Sequence, residues 1–371
     1  MRREKDQYQP HNVIAVLVRM INVKVIQDKL TKFNKPPPLL GIDINDQFLS
    51  LIELATDHQA LKVISYAMEP LPANAIVNGD IKQAEIVTEH LLKLLTKSST
   101  KTKKAAVAVS GSSVITKVIP MAANTNDDYL EAKIIADADK YIPYALDEVA
   151  IDFSVIKESG EESEILLAAC RKEIIDQRIE LLSAAGLEPS IVDIRIYDIE
   201  RSFLLLEKEF SFKKNEVIAL FEHNTGLSLT VMQQGTAIYH KEQSFITDGK
   251  ETLVNISSAV TANEAELAQL VNDESDEVYR RQLAQQMKSA MQFFISSSQH
   301  EKIDRIFLAG GFVSIKELAE WLDDWLKIPT RVADPLRHVS LAETVDHQDI
   351  RDNTASLLVA CGLAMRGLAC Q

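Results

Sequence analysis

The pattern of short apolar runs that opens at Leu39 begins again at Glu216, and this recurrence constrains the chain more than any other feature. In both places a buried strand, a turn and a second apolar strand come first: Leu39 to Ile44 then Leu49 to Leu54, and Val217 to Phe221 then Leu227 to Met232. Each pair leads into a third strand, Leu61 to Met68 and Ala237 to His240, and then into helical sequence and further buried strands. The repeat is one of topology, not of sequence. Two such halves fit a duplicated α/β fold with a cleft between its lobes, and 371 residues suffice for two cores. Ligands in such folds lie at the carboxyl ends of strands, where loops converge.

The first strand ends in an acid, Asp43, and its hairpin has the frame of a phosphate-wrapping loop. A loop of that kind needs glycine or small hydroxyl residues at its tip, so that backbone N–H groups can approach the anion. The tip here is Asn45-Asp46-Gln47-Phe48. Asp46 puts negative charge where phosphate would sit, and Phe48 adds bulk. The sequence therefore predicts the frame of an ATP-binding protein around a compromised ATP site.

Other chemistry is missing. No HExxH, P-loop, GxSxG or CxxC pattern occurs, and the eight histidines are scattered. The three cysteines, Cys170, Cys361 and Cys370, have no metal-like spacing, and their odd number points to a reducing compartment. The net charge of −14 argues against nucleic acid as a partner of the body. The charge is uneven: residues 1–35 carry eight Lys/Arg against three acids, a net of +5, which leaves −19 on the remainder. A basic leader on an acidic body is compatible with resting near an anionic membrane surface, as well as with a solvated tail. Val13 to Ile26 is apolar but holds Arg19 and Lys24, so it is too short and too charged to span a bilayer. Met20 inside this stretch makes residues 1–19 readable as an upstream extension. Pro36-Pro37-Pro38 ends the leader, because neither a helix nor a central strand tolerates three prolines.

Helical periodicity is predicted over Ile81 to Lys97, Lys172 to Ala185, Tyr197 to Glu207, Val278 to Ser298 and Ile315 to Leu326. Asn126-Asp127-Asp128 can cap a helix with the stripe Leu130, Ile134, Ala138, Tyr141 and Ile142, stopped by Pro143. Asn353 is expected to cap the last helix, and Ala309-Gly310-Gly311 to form a turn after the strand Ile303 to Leu308. Strands are expected at Ala105 to Val109, Val114 to Ile119, Val149 to Val155, Ile165 to Cys170 and Ile191 to Ile194.

The stretches AAVAVSGSSVITKVIPM (105–121), DADKYIPYALDEVAIDFSVI (137–156) and ILLAACRKEIIDQRIELLSAAGLEPSIVDI (165–194), followed by QFFISSSQ (292–299) and FLAGG (307–311), resemble the PilM family of actin-like type IV pilus assembly proteins. The resemblance runs from Pro36 to Gly367 in order and spacing, and a more distant one is to the cell-division protein FtsA. It implies a duplicated actin-like (ribonuclease H-like) fold. The leader would occupy 1–35, the first lobe 36–104 and 189–215, and an inserted small α+β subdomain 105–188. The second lobe would span 216–340, with a C-terminal helix in 341–371 returning to the first lobe. The resemblance further implies a cytoplasmic protein peripheral to the inner membrane, one that captures the N-terminal cytoplasmic tail of a PilN-type membrane protein and links that complex to the pilus motor or platform proteins. It implies ATP with a magnesium ion as cofactors.

On that resemblance the nucleotide residues are Asp43, Asn45, Asp193, Thr225, Gly226, Glu264, Gly310 and Gly311, with Asp43 reaching the metal through water. The family's first phosphate loop carries small residues after Asp-Ile and then a Lys; here Ser50 stands where that Lys is expected. The second reads Asp-Ile-Gly, against Phe221-Glu222-His223-Asn224-Thr225-Gly226 here, and either Phe221 or Glu222 takes the acid's place depending on register. Phosphoryl transfer depends on positioning and charge neutralisation, so weak or absent ATP binding and negligible hydrolysis are expected. The peptide groove is expected between the base of the first lobe and the inserted subdomain, lined by Val109, Ser110, Ser112, Val114, Ile115, Tyr141, Ile142 and Pro143. Alternatives are an ATP-driven switch of the same machinery, an FtsA-like filament former, and a sugar kinase, which would need working phosphate loops.

Overall fold

The computed structural model describes residues 38–57, 60–123, 127–207, 210, 212–213, 215–223, 226–244, 273–314 and 317–369. The basic leader and Glu264 lie outside the described residues, as does Thr225.

The first sheet begins with β1 (Leu40–Ile44), β2 (Phe48–Asp57) and β3 (Ala60–Pro70), an antiparallel meander. A small strand pair, β4 (Ile76–Val77) and β5 (Asp80–Ile81), leads into helix α1 (Ala84–Ser98) and then β6 (Lys104–Val109), which runs parallel to β1. A separate three-stranded sheet follows, made of β7 (Val114–Ala122), β8 (Val149–Ser159) and β9 (Glu162–Arg171) in the order β7-β9-β8, with α2 (Asp127–Asp137) between β7 and β8. The chain returns through α3 (Lys172–Ala184) to β10 (Glu188–Ile194), parallel to β6, and α4 (Arg195–Glu207). The second sheet holds β11 (Val217–His223), β12 (Gly226–Gln233) and β13 (Thr236–Ser244) as a meander; after α5 (Asp273–Ser297) come β14 (Arg305–Gly310), α6 (Leu318–Leu326) and β15 (Thr330–Val332). Short β16 (Ser340–Leu341) pairs with β3, and α7 (His347–Asn353) and α8 (Leu358–Ala369) close the chain.

The sheet orders prove the duplication. The first sheet reads β10-β6-β1-β2-β3-β16 and the second β13-β12-β11-β14-β15. Each places its meander beside two parallel strands, with the first strand between. Fully buried strands such as β1, β6 and β11 suit a sheet covered on both faces. On β1, Leu40, Ile42 and Ile44 join the core beneath α1 and α3, whereas Gly41 and Asp43 face the other way. A second core gathers Ile199, Phe203 and Leu206 of α4 and Leu358, Val359 and Leu363 of α8 with residues of both sheets, so these two helices fasten lobe to lobe. Contact is so close that a Cβ on Gly41 would lie 2.1 Å from Ala360 O, and one on Gly362 would lie 2.0 Å from Asp198 O.

Three local expectations are corrected. The strand over 105–109 sits in the middle of the first sheet, because its residues are buried on both faces, and α3 packs on that lobe's core through Ile174, Ile175, Leu181 and Leu182. The small α+β unit therefore spans 114–171 and not 105–188. The Leu130–Ile142 stripe is two pieces: α2 ends at Asp137 and a 3₁₀ turn, Ala138–Lys140, carries the chain to Tyr141. The helix expected from Ile315 is described from Leu318, after Glu317, which is left-handed at φ 58°; Ile315 itself lies outside the described residues. Asn353 caps nothing at the start of α8. Asp346 caps α7, accepting from Gln348 N at 3.0 Å and Asp349 N at 3.1 Å, while Asn353 ends that helix and donates to Asp349 O at 2.8 Å.

Candidate functional site

The two lobes meet where the first hairpin of one sheet faces the first hairpin of the other. Asp43 lies opposite Ser50 one pair before the end of the β1–β2 ladder, and Glu222 lies opposite Ser228 one pair before the end of the β11–β12 ladder. Structural equivalence thus resolves the register that the sequence left open: Glu222, not Phe221, is the counterpart of Asp43. A single guanidinium joins them. Arg195, the first residue of α4, donates from Nη1 to Asp43 Oδ1 and from Nη2 to Glu222 Oε1, each at 2.9 Å. Burial works against the charge of Arg195, but the opposed charges of Asp43 and Glu222 outweigh it and raise the pKa.

The hairpin tip is occupied by its own side chains. Asn45 Oδ1 accepts from Gln47 N at 2.9 Å and Phe48 N at 3.0 Å, an Asx turn that consumes the N–H groups a phosphate would need. Asn45 Nδ2 donates to Asp43 Oδ2 at 3.3 Å. Asp46 has found an amide pair elsewhere: its carboxylate accepts from Asn78 N at 2.8 Å and Gly79 N at 3.0 Å, in a loop where both residues have positive φ. Nearby, the buried Arg178 donates to three carbonyls, Ala108 O, Ile174 O and Gly79 O, each at 3.0 Å, and burial lowers its pKa. On the far side, Ser110 donates to Glu242 Oε1 at 3.1 Å, a second contact between lobes, and His240 with Ser110 holds the Glu242 carboxyl below its usual range.

Asp43, Asn45, Val109, Ser110, Ser112, Arg178, Arg195, Glu222, Gly226 and Glu242 line one cavity of about 420 Å³. Gly310 and Gly311 line another, of about 1020 Å³, whose walls include Gln47, Phe48, Tyr66, Lys97 and Arg351. Hairpin residues 45 and 46 face the first cavity and 47 and 48 the second, so the tip stands between the two groups of expected nucleotide residues. Gly310 belongs to β14 at φ 70°, and the turn begins at Gly311. Asp193 is not brought to the cleft. It is fully buried and accepts from Arg201 Nη2 at 2.6 Å, while Arg201 Nη1 bonds Asp198 at 2.6 Å and Gly362 O at 2.8 Å. That network ties α4 to α8, and burial beside Asp193 raises the Asp198 pKa. At the hairpin tip the amides of Gln47 and Phe48 bond Asn45, and the wall of the smaller cavity sets the carboxylates of Asp43, Asp46, Glu222 and Glu242 against the guanidiniums of Arg178 and Arg195.

The expected peptide groove is not one surface. Val109, Ser110 and Ser112 open on the 420 Å³ cavity, and Val114 packs against the first-lobe core. Ile142, only 3% exposed, belongs to the core of the small unit, Ile115 and Tyr141 pack half-buried against that core, and Pro143 is exposed. A stripe of apolar residues at helical spacing reads the same whether it faces a groove or a core. Sequence reasoning does not find Arg195 or Glu242. The only local signal is an Arg directly after the strand that ends in Asp193-Ile194.

A family model described as type IV pilus assembly protein PilM matches residues 41–368. Among solved structures, the PilM-PilN type IV pilus biogenesis complex is similar with a TM-score of 0.67 at 21% identity, over 89% of this chain and 98% of that one. Ethanolamine utilization protein EutJ from Carboxydothermus hydrogenoformans matches with a TM-score of 0.49 at 13% identity, over 92% of this chain and 94% of that one. Together with the repeated sheet order, the first likeness shows the two-lobed actin-like fold. Among the described residues no helix is long and apolar enough to cross a membrane.

Proposed function

The chain belongs to the family of the type IV pilus assembly protein PilM, and from that premise we propose that it is a cytoplasmic adaptor of pilus assembly. It binds the N-terminal cytoplasmic tail of a PilN-type inner-membrane protein, sits peripherally at that membrane, and links the complex to motor or platform proteins. It works without hydrolysing ATP. The observation that carries the last point is the Asp43–Arg195–Glu222 bridge. A positive charge built into the chain neutralises the two strand-end acids, which leaves no role there for a magnesium ion. The similar solved complex pairs PilM with PilN, and that pairing supports the partner.

We place the tail along β7, at the junction of the first lobe and the small unit. Among the described residues β7 is an edge strand, paired only with β9, and Val118 on it is 55% exposed. An extended peptide can add to such an edge, with backbone bonds for affinity and side-chain contacts for specificity. A titration with a synthetic PilN-type tail, with and without magnesium-ATP, tests the reading. Binding that ignores nucleotide, and that Val118→Asp weakens at least tenfold without loss of folding, is expected. Binding that requires ATP would establish the switch instead; absence of binding in both conditions would remove the adaptor role. Ile142→Asp is unsuitable as a probe, because Ile142 is core.

A further inference from the structure

The chain holds 54 Asp and Glu against 40 Lys and Arg, so its surface lysines readily find acids. Lys82, Lys93, Lys133, Lys140, Lys157 and Lys302 each form an ion pair. Lys101, Lys103 and Lys104 depart from this pattern. They stand together where the loop after α1 enters β6, all three are exposed, and none has an ion pair among the described residues. The loop is built to present them. The intervening threonines turn inward to the buried Glu53: Thr100 Oγ1 donates to its Oε2 and Thr102 Oγ1 to its Oε1, each at 2.7 Å. The backbone is held too, with Glu188 N donating to Lys103 O at 2.8 Å. Glu53 is thereby kept from the lysines, and Glu188, beside Lys104 in the β10–β6 register, offsets one charge.

The basic leader joins the body at the same place. Leu40 is level with Ala105 on the parallel strands β1 and β6, so the chain enters one strand spacing, about 4.8 Å, from the start of β6. Residues 20–35 bring Lys24, Lys29, Lys32 and Lys35 against Asp28, interleaved with Val23, Val25, Ile26, Leu30 and Phe33. From this convergence of described lysines and basic leader on one end of an acidic chain, we infer that the base of the first lobe is a contact face for an anionic lipid bilayer. The inference rests on the reading of the chain as an adaptor peripheral to the inner membrane, and adds a lipid contact that does not pass through the partner's tail. An anionic leaflet attracts clustered lysines within a Debye length of its surface. Apolar residues among them supply the second signal that stable peripheral attachment needs. A flat surface touches this end alone, whereas a nucleic acid would also lie against the acidic body.

The full chain is sedimented with vesicles of phosphatidylcholine containing phosphatidylglycerol, and with vesicles of phosphatidylcholine alone, at low and high salt. Binding to the anionic vesicles that salt weakens, and none to the neutral ones, is expected. Changing Lys101, Lys103 and Lys104 together to Gln should weaken binding roughly tenfold or more. Changing the exposed Lys157, Lys302 and Lys327 to Gln removes as many charges elsewhere and should leave it unchanged. No binding to anionic vesicles, equal binding to neutral ones, parent affinity in the first triple variant, or equal losses in the two would each overturn the lipid face. Tighter binding to a DNA duplex than to the anionic vesicles at the same salt would assign the face to nucleic acid and overturn it as well. Those outcomes leave the tail-binding adaptor standing, since the peptide titration needs no lipid; failure of that titration alone leaves the lipid contact standing.

Discussion

Replacing Arg195 by Gln removes a guanidinium that bonds Asp43 and Glu222, each at 2.9 Å. The two acid side chains are 3% and 6% exposed, and Arg195 is 16% exposed. Three charges have been taken out of water together, and this is tolerable only while all three stay paired. Withdrawing one partner of a buried ion pair costs ~3–5 kcal/mol, mostly through the charge left behind. The cavity beside Arg195 lets water approach, so the lower end, about 3 kcal/mol, is expected. Asp43 keeps the amide of Asn45 at 3.3 Å, whereas Glu222 keeps no other donor among the described residues, so most of the loss should reside on Glu222. Glu222→Gln in the Arg195→Gln background should then restore part of it, with a coupling of about 1–3 kcal/mol between the two sites. Urea denaturation of the parent, both single variants and the double variant at pH 7 measures the cycle, provided the m-values agree. If Arg195→Gln lies within about 0.5 kcal/mol of the parent, or the cycle shows no coupling, then solvent and not Arg195 balances these acids, and the argument for an internally neutralised cleft fails.

Three further outcomes follow from the packing. Gly41→Ala and Gly362→Ala put a Cβ 2.1 Å from Ala360 O and 2.0 Å from Asp198 O, against backbone that cannot swing aside, so each should cost ~1–3 kcal/mol or more by overpacking; unchanged melting temperatures would show that α8 sits farther from β1 and α4 than described. Burial pushes the Glu200 carboxyl from its ordinary 4.5 up to about 7, so its stabilising contribution is complete below pH 4.5 and is lost as pH rises through 7. Glu200→Gln, which keeps an acceptor for Ala237 N, should therefore match the parent near pH 4 and exceed it by roughly 3 kcal/mol near pH 8, at about 1.4 kcal/mol per pH unit; a gap that does not widen with pH across chemical melts would contradict this. Burial pushes the Cys170 thiol up to about 11 and raises Cys361 as well, so both should resist a maleimide in the native protein and react after unfolding. Rapid native labelling of either, mapped by mass spectrometry, would place it at the surface.

What the sequence determined by itself is the frame. Period-two runs and all-apolar runs mark buried strands through local patterning alone, so the repeat from Leu39 and Glu216 and the helices were legible without coordinates. Membership of a run does not say which core it fills. Ala105 to Val109 reads equally as the start of an inserted unit or the centre of a sheet, and Ile142 equally as groove or core, because burial on both faces looks the same wherever the second face comes from. Pairing across the lobes lies wholly outside local patterning. Arg195 stands 152 residues from Asp43 and 27 from Glu222, and Asp193 points into the α4–α8 network instead of the cleft because the hydrogen-bonded register of β10 and the packing of Gly362 on α4 leave it no other side. The sequence could say that residues 45–48 hold no glycine; only the tertiary structure decided that three distant charges, Asp43, Arg195 and Glu222, come within hydrogen-bond reach.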